Sequence, residues 1–168
     1  MAQSFRRVVT GHTPAGKSVF VSDGPPPRAT GALTTVWATD HGMTTLPGSD
    51  DPTPAMTTFV SGPGGSRFHI VVIQPAGATP PPQPNQQPVH LPGLSEAMEA
   101  DAPGFHTTDS VDYDIIMSGR LHLELDDGAE VELGPGDIVV QNGTRHAWRN
   151  KGTEPVVMYS VLVGAPRA

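Results

Sequence analysis

The sequence predicts an all-β fold, a small antiparallel barrel made of short strands. Glycine and proline each account for 19 of the 168 residues, which favours turns over helices. Short runs rich in β-branched and aromatic residues recur along the chain, and turn-forming residues separate them. No helix-period segment is long enough for a βαβ unit, which disfavours a parallel sheet.

The first half of the chain contains four predicted strands. The first two are close enough to pair as a hairpin, since a Gly/His/Pro/Gly turn region lies between them. Residues 40–55 are rich in Gly, Pro, Asp and Thr and are predicted to be loop. The predicted strands are Arg6–Thr10, Val19–Ser22, Leu33–Ala38 and Phe68–Ile73.

A proline-rich segment, Gln74–Pro92, follows the fourth strand. Proline lacks the N–H group that a sheet ladder needs, so this segment is predicted to be a long loop. Loops of this length act as lids or as surface arms, and both interpretations stay open here. One helical turn is expected over Ser95–Ala100.

The last third of the chain is more regular. Gly, Asp and Asn turn signals separate six short strands, a spacing typical of a sandwich or barrel. The predicted division is residues 1–60 as N-terminal strands that pack on or extend the barrel, and residues 61–168 as the barrel. The six strands are Val111–Met117, Arg120–Leu125, Glu130–Leu133, Ile138–Gln141, His146–Arg149 and Pro155–Val163.

Charge and composition exclude several classes of protein. The formal net charge is −7 with only 10 Lys and Arg, which disfavours binding to nucleic acid and to anionic membranes. The absence of cysteine excludes disulfides, thiolate catalysis and cysteine-ligated metals. No signal peptide and no apolar run of membrane-spanning length are recognised, so a cytoplasmic protein is expected.

Polar side chains share faces on two predicted strands. His146 and Trp148 alternate on one face of their strand, which suggests the wall of a pocket. Asp112 and Asp114 likewise share a face, opposite Tyr113.

Residues 135–150, PGDIVVQNGTRHAWRN, resemble the second motif of the cupin superfamily. That motif has Pro-x-Gly-x-x-His after a strand and an Asn four residues beyond the His. Gly143, His146 and Asn150 match its spacing, and Gln141 stands in place of the proline.

Residues 105–119 resemble the first cupin motif, which has His-x-His, then Glu, then an apolar strand that ends in Gly. Gly119 matches that glycine and places Asp112 at the Glu position. His106 falls near the first histidine position, and Thr108 stands at the second. The chain is thus similar to small, mostly uncharacterised bacterial cupins with one conserved barrel.

The resemblance implies a jelly-roll (double-stranded β-helix) barrel whose two motifs converge inside it, usually on a divalent metal. It implies His106, Asp112 and His146 as catalytic residues and metal ligands. Two imidazoles and one carboxylate suit Fe, Mn, Ni or Zn in an open site. Asp114 or Asp109 is an alternative acid, and a metal-free pocket with His and Asp as general acid and base is the competing interpretation. No organic cofactor is expected.

The predicted function is a small-molecule enzyme of oxygenase, decarboxylase, isomerase or lyase type, acting on an oxygen-rich or aromatic substrate. A barrel that binds or senses a ligand without turnover is the alternative. Trp148, His69 and Asp114 are the candidate substrate-binding residues. A homodimer is also expected, with the N-terminal strands extending the sheet or crossing to a partner.

Overall fold

The computed structural model describes residues 5–30, 32–42, 46, 48, 50–78 and 92–167. Within that part of the chain the regular structure is β-strand, with two short 3-10 turns at Thr53–Ala55 and Asp126–Gly128. The all-β prediction is therefore confirmed. No helix in the described ranges is long and apolar enough to span a membrane.

Eleven strands follow one another in the part of the chain that the structure describes, and the predicted strands are found there with small shifts at their ends. In the first half they are β1 Arg7–His12, β2 Ser18–Gly24, β3 Arg28–Thr30, β4 Leu33–Thr39 and β5 Ser66–Ile73. In the second half they are β6 Ser110–Ser118, β7 Leu121–Glu124, β8 Glu130–Leu133, β9 Ile138–Asn142, β10 Ala147–Arg149 and β11 Val156–Gly164.

The strands form three antiparallel sheets. The largest has six strands in the order β3-β4-β5-β11-β6-β9, and a second has three in the order β10-β7-β8. Alternation of sequence-distant strands within one sheet is typical of a jelly roll. The hairpin β1-β2 forms a separate two-stranded sheet, as its pairing predicted.

The main core lies between the six-stranded and three-stranded sheets. Ile116 and Met158 come from β6 and β11, and they pack against Leu121, Leu123 and Leu133 from β7 and β8. All five are buried, so the two sheets close on each other through aliphatic side chains. This core fixes β6 and β10 on opposite walls of the barrel.

The N-terminal hairpin is tied to the body through Arg7. Its guanidinium donates to the carbonyl oxygen of Val36 at 3.1 Å and to Asp51 Oδ2 at 2.6 Å. β3 and β4 join the large sheet beside β5. The first strands thus contribute both an appended hairpin and one flank of the main sheet.

Two predictions about loops have different outcomes. The helical turn expected over Ser95–Ala100 is wrong, because residues 92–97 form successive turns instead. In the proline-rich segment, residues 74–78 lie outside any strand, as predicted. Residues 79–91, where a lid or a surface arm was expected, lie outside the described residues.

Candidate functional site in the barrel

Two histidines from the two motif regions lie side by side. The ring centroids of His106 and His146 are 4.2 Å apart, with the ring planes tilted by 51°. Their backbones form an isolated antiparallel bridge, in which each N–H donates to the other carbonyl oxygen at 3.0 Å. A reciprocal backbone pair therefore sets the spacing of the two imidazoles.

Both imidazoles are oriented in the same way. His146 Nδ1 lies 2.9 Å from the carbonyl oxygen of Thr144, and His106 Nδ1 lies 3.1 Å from that of Gly104. A carbonyl oxygen only accepts, so each Nδ1–H is the donor and each Nε2 is left for a ligand. Burial lowers the pKa of His146 to about 4, which keeps this imidazole neutral at neutral pH.

Trp148 lies beside the histidine pair, as the alternation along its strand predicted. Its ring meets that of His146 edge-on, with the centroids 5.6 Å apart. Trp148 is half-buried and also packs against the main core. The indole therefore forms an apolar wall next to the neutral imidazole.

Asp112 is buried on the inner face of β6 among hydroxyl groups. Thr108 Oγ1 lies 3.5 Å from Asp112 Oδ2, and Ser110 donates to Thr108 Oγ1 at 3.0 Å. Asp112 Oδ1 is buried and has no hydrogen-bond partner. Burial raises the pKa of this carboxyl, against the opposing effects of the Ser110 and Thr108 hydroxyls and of His106.

Asp114 shares the inner face with Asp112, which confirms that part of the prediction. It accepts a hydrogen bond from the hydroxyl of Ser160 on the neighbouring strand β11. Burial, together with the like charge of Asp112, raises the pKa of Asp114 to about 7. By contrast, Asp109 is an exposed residue that pairs with Arg167, so it is not the inward acid.

A surface cleft lies next to the site, and its lining includes Thr108 and Ser110 but not Asp112 or the two histidines. A cavity of about 360 Å³ is lined by Thr108–Val111, Asn142, Gly143 and Ala165–Arg167. Thr108 and Ser110 thus form a wall that the cleft shares with Asp112.

The histidine bridge is clamped on its other side by residues that the sequence did not single out. Phe105 precedes His106 in the chain, and Arg145 precedes His146. The guanidinium of Arg145 stacks on the ring of Phe105, with its carbon 3.8 Å from the ring centroid. Arg145 also makes two bonds of 2.7 Å to the carboxylate of Glu99. The only sequence signal for this clamp is the adjacency of Phe105 to His106 and of Arg145 to His146.

His69 does not belong to this group, contrary to its predicted role in substrate binding. Its side chain is 0% exposed and stacks on Phe59, with the ring centroids 4.8 Å apart. Its Nδ1 lies 3.1 Å from Thr35 Oγ1, and its Nε2 lies 3.2 Å from the carbonyl oxygen of Phe59. Both ring nitrogens are therefore used in packing the protein interior.

Two turn residues, Asn150 and Asp137, have structural roles. Asn150 donates to the carbonyl oxygens of Ile73 and Glu154 at 2.9 and 2.8 Å. Asp137 accepts from the N–H of Gly134 at 2.7 Å. These bonds fix the turns at either end of the β9–β10 segment.

The donor atoms give a test of the predicted metal site. The Nδ1–H group of each imidazole is bound to a carbonyl oxygen. Histidines that bind metals are commonly oriented in this way and bind through the other nitrogen, Nε2. Across the described ranges, however, no three His, Cys, Asp or Glu side chains are grouped so that they could hold a metal ion. The predicted set of His106, Asp112 and His146 therefore does not fit a three-ligand centre in this arrangement.

Comparison with known proteins agrees with this architecture. Residues 98–162, which include both histidines and strands β6 to β10, match the family model described as "Cupin domain". The superfamily resemblance and the jelly-roll fold expected from the two motifs are thereby supported.

Several proteins are similar to this chain at low identity. A "Phomopsin biosynthesis cluster protein C'" from Diaporthe leptostromiformis is 29% identical over 86% of this chain and 70% of its own length. A "Cupin-domain-containing oxidoreductase fogC" from Aspergillus ruber is 41% identical over 37% of this chain and 34% of its own length. These relatives are fungal, so the expected bacterial type is not confirmed. A cupin 2 conserved barrel domain protein from Salinispora arenicola is 21% identical, with coverages of 79% and 76% and a TM-score of 0.42.

Proposed function

We propose that this chain is a small-molecule enzyme that transfers protons, with His146 as the base and Asp112 as the acid. One observation carries the proposal: two imidazoles lie 4.2 Å apart, and His106 acts electrostatically on the buried carboxyl of Asp112, which has an unpaired oxygen. An imidazole that accepts a proton and a carboxyl whose pKa is raised by burial are the pair that general acid–base catalysis needs.

The proton transfer can be written for a substrate that bears a carbonyl group. His146 Nε2 takes a proton from the carbon next to the carbonyl while Asp112 gives a proton to the carbonyl oxygen. The product is an enol. If the substrate also carries a β,γ double bond, the product is a dienol, and His146 then returns its proton to the far carbon of the diene while the hydroxyl proton goes back to Asp112. This gives an isomer with the double bond moved and restores both groups. His106 lies against His146 and holds the bound substrate through a hydrogen bond at its own Nε2.

The substrate class follows from the walls of the site. Trp148 offers an apolar surface beside the base, which favours an aromatic or otherwise flat substrate with oxygen substituents. Relatives named for biosynthesis clusters support a biosynthetic intermediate as that substrate. A cytoplasmic location remains a prediction.

Hydrogen–deuterium exchange into candidate substrates tests this function. Oxygen-bearing aromatic and dicarbonyl compounds are incubated with the protein in D₂O, and deuterium at carbon is followed by NMR. We expect His146→Gln and Asp112→Asn to slow the exchange by at least about 100-fold. The matched control is His122→Gln, because His122 lies on β7 beside Glu132 at 3.5 Å and outside the site; it retains the wild-type rate.

Two results would overturn the proposal. One is exchange that survives His146→Gln, and the other is a compound that shifts the melting temperature without any exchange, as a binding module would show. A chelator arm separates the metal-assisted alternative. Exchange that is lost after chelation and restored by Fe, Mn, Ni or Zn would replace acid–base catalysis by a metal centre.

A further inference from the structure

Gln141 is the residue at which this chain differs from the second motif, and its side chain lies inside the barrel. It stands where the motif has proline, and its side chain is 3% exposed. Val139 packs against the main core, and Gln141, two residues further along β9, lies on the same face of the strand. Proline has no side-chain hydrogen-bonding group, so the buried amide is a feature of this chain's own sequence.

Only one end of this amide is bonded. Gln141 Oε1 accepts a hydrogen bond from the hydroxyl of Thr144. Gln141 Nε2 is buried and has no hydrogen-bond partner among the described residues. Buried polar groups are normally paired, because an unpaired donor in the interior is costly. The amide therefore holds a spare donor inside the barrel.

The residue directly opposite Gln141 holds a spare acceptor. Asp112 is the cross-strand partner of Gln141 in the register of β6 and β9, so the two side chains leave the sheet on one face, with their Cβ atoms about 5 Å apart. Asp112 is 6% exposed, and its Oδ1 has no partner in the described part of the chain. On the other side Asp112 is paired with Leu162, whose side chain has no polar atom. Gln141 is thus the cross-strand neighbour that can bond Asp112 Oδ1.

Thr144 connects this pair with the base. Its hydroxyl donates to Gln141 Oε1, and its carbonyl oxygen accepts from His146 Nδ1 at 2.9 Å. One turn residue therefore orients both the amide beside Asp112 and the imidazole of His146. The proposed acid and base come from different strands, and Thr144 with Gln141 links them.

We propose that Gln141 is a positioning residue for Asp112, whose Oδ1 accepts a hydrogen bond from Gln141 Nε2. The inference rests on the proposed function, in which Asp112 is the acid. Side-chain rotation brings the two atoms together without a change in the strands. The bond occupies Oδ1 and leaves Oδ2 to carry the proton that goes to the substrate. After that transfer the amide bonds a carboxylate, and hydrogen bonds to an ionised group are the stronger kind.

NMR of the side-chain amides tests the contact without any substrate. In the full chain, the resonances of the Gln141 amide are assigned by their loss in Gln141→Met. We expect Asp112→Asn to shift them further than the amide resonances of Gln74 and Asn150. Gln74 follows β5, and Asn150 bonds the carbonyl oxygens of its own turn region, so both lie away from Asp112. Gln141 resonances that move no further than these two would overturn the proposal.

Deuterium exchange into substrate measures the consequence for catalysis. Gln141→Met keeps the length of the side chain and removes the donor. We expect the rate at saturating substrate to fall at least about 10-fold with KM unchanged, because Gln141 acts through Asp112 and not on the substrate. Gln141→Glu keeps the acceptor for Thr144 but not the donor, and it is expected to be as slow. The matched control is Gln74→Met, the same chemical change away from Asp112, which retains the wild-type rate.

The positioning role and the proposed function fail separately. Exchange that survives His146→Gln overturns the proposed function, whereas the NMR shift still decides whether Gln141 contacts Asp112. If His146→Gln and Asp112→Asn abolish exchange but Gln141→Met and Gln141→Glu leave its rate unchanged, the proposed function stands and the role of Gln141 is overturned. An effect of these two variants on KM alone would also overturn it.

Discussion

The guanidinium of Arg145 lies 3.8 Å above the ring of Phe105, on the far side of the bridge that holds His106 against His146. Neighbouring residues in an extended bridge point to opposite faces. The stack and the imidazole pair therefore lie on opposite faces of one element, and the clamp fixes the geometry of the site.

Removal of the clamp should weaken the fold measurably. Arg145→Ala loses the stack on Phe105 and the paired bonds to Glu99, and we expect the free energy of unfolding to fall by about 1–2 kcal/mol. Urea denaturation measures that change. Arg120→Ala is the matched control, because Arg120 is 72% exposed and pairs only with Glu132 among the contacts described; we expect less than about 0.5 kcal/mol there. Equal effects of the two changes would show that Arg145 is an ordinary surface residue.

The burial of His69 should make stability depend on pH. Desolvation lowers the pKa of His69 to about 4, below the ordinary value of 6.5. The unfolded chain therefore takes up a proton at His69 between pH 6.5 and 4 while the folded chain does not. Stability from this group is present above pH 6.5 and is lost as the pH falls through that window.

His69→Gln isolates this contribution, because glutamine keeps a hydrogen-bonding group in the cavity but does not titrate. We expect the free energy of unfolding of the wild type to fall by about 3 kcal/mol relative to that of the variant between pH 7.5 and pH 4. Urea denaturation across that pH range measures the difference. Stability curves that run parallel over the whole range would contradict the prediction.

Asp114 should make stability depend on pH in the opposite direction. Burial raises its folded pKa to about 7, above the ordinary value of 3.8. The folded chain therefore holds the proton more strongly, and this stabilising effect is lost as the pH rises through 7. Asp114→Asn keeps an oxygen that accepts from Ser160 but carries no charge.

We expect the free energy of unfolding of Asp114→Asn, relative to that of the wild type, to rise by about 2–4 kcal/mol between pH 5 and pH 8.5. Thermal or urea unfolding at both pH values provides the measurement. Asp137→Asn is the comparison variant, because Asp137 lies in an exposed turn, and its difference from the wild type should change little with pH. A gain for Asp114→Asn that is equal at both pH values would contradict a raised pKa.

Much of this architecture was predictable from local sequence. Val111–Met117 and Glu130–Leu133 were predicted within a residue or two, because alternating apolar residues between Gly and Asp turn signals leave few alternatives to a strand. The shared faces of His146 with Trp148 and of Asp112 with Asp114 followed from the two-residue period of a strand. The same period, applied to Tyr113 and Met117, indicates the apolar outer side of β6.

What the tertiary structure alone decided is which side chains meet. The sequence could not exclude His69 from the pocket, because its burial against Phe59 and its bond to Thr35 depend on contacts between distant segments. It also gave no means of finding Arg145 on Phe105, 40 residues away, or the Ser110 and Thr108 hydroxyls beside Asp112. Local pattern determines strand, turn and face. The closing of the two sheets on their aliphatic core determines which polar groups are buried together, and therefore what their pKa values and chemistry become.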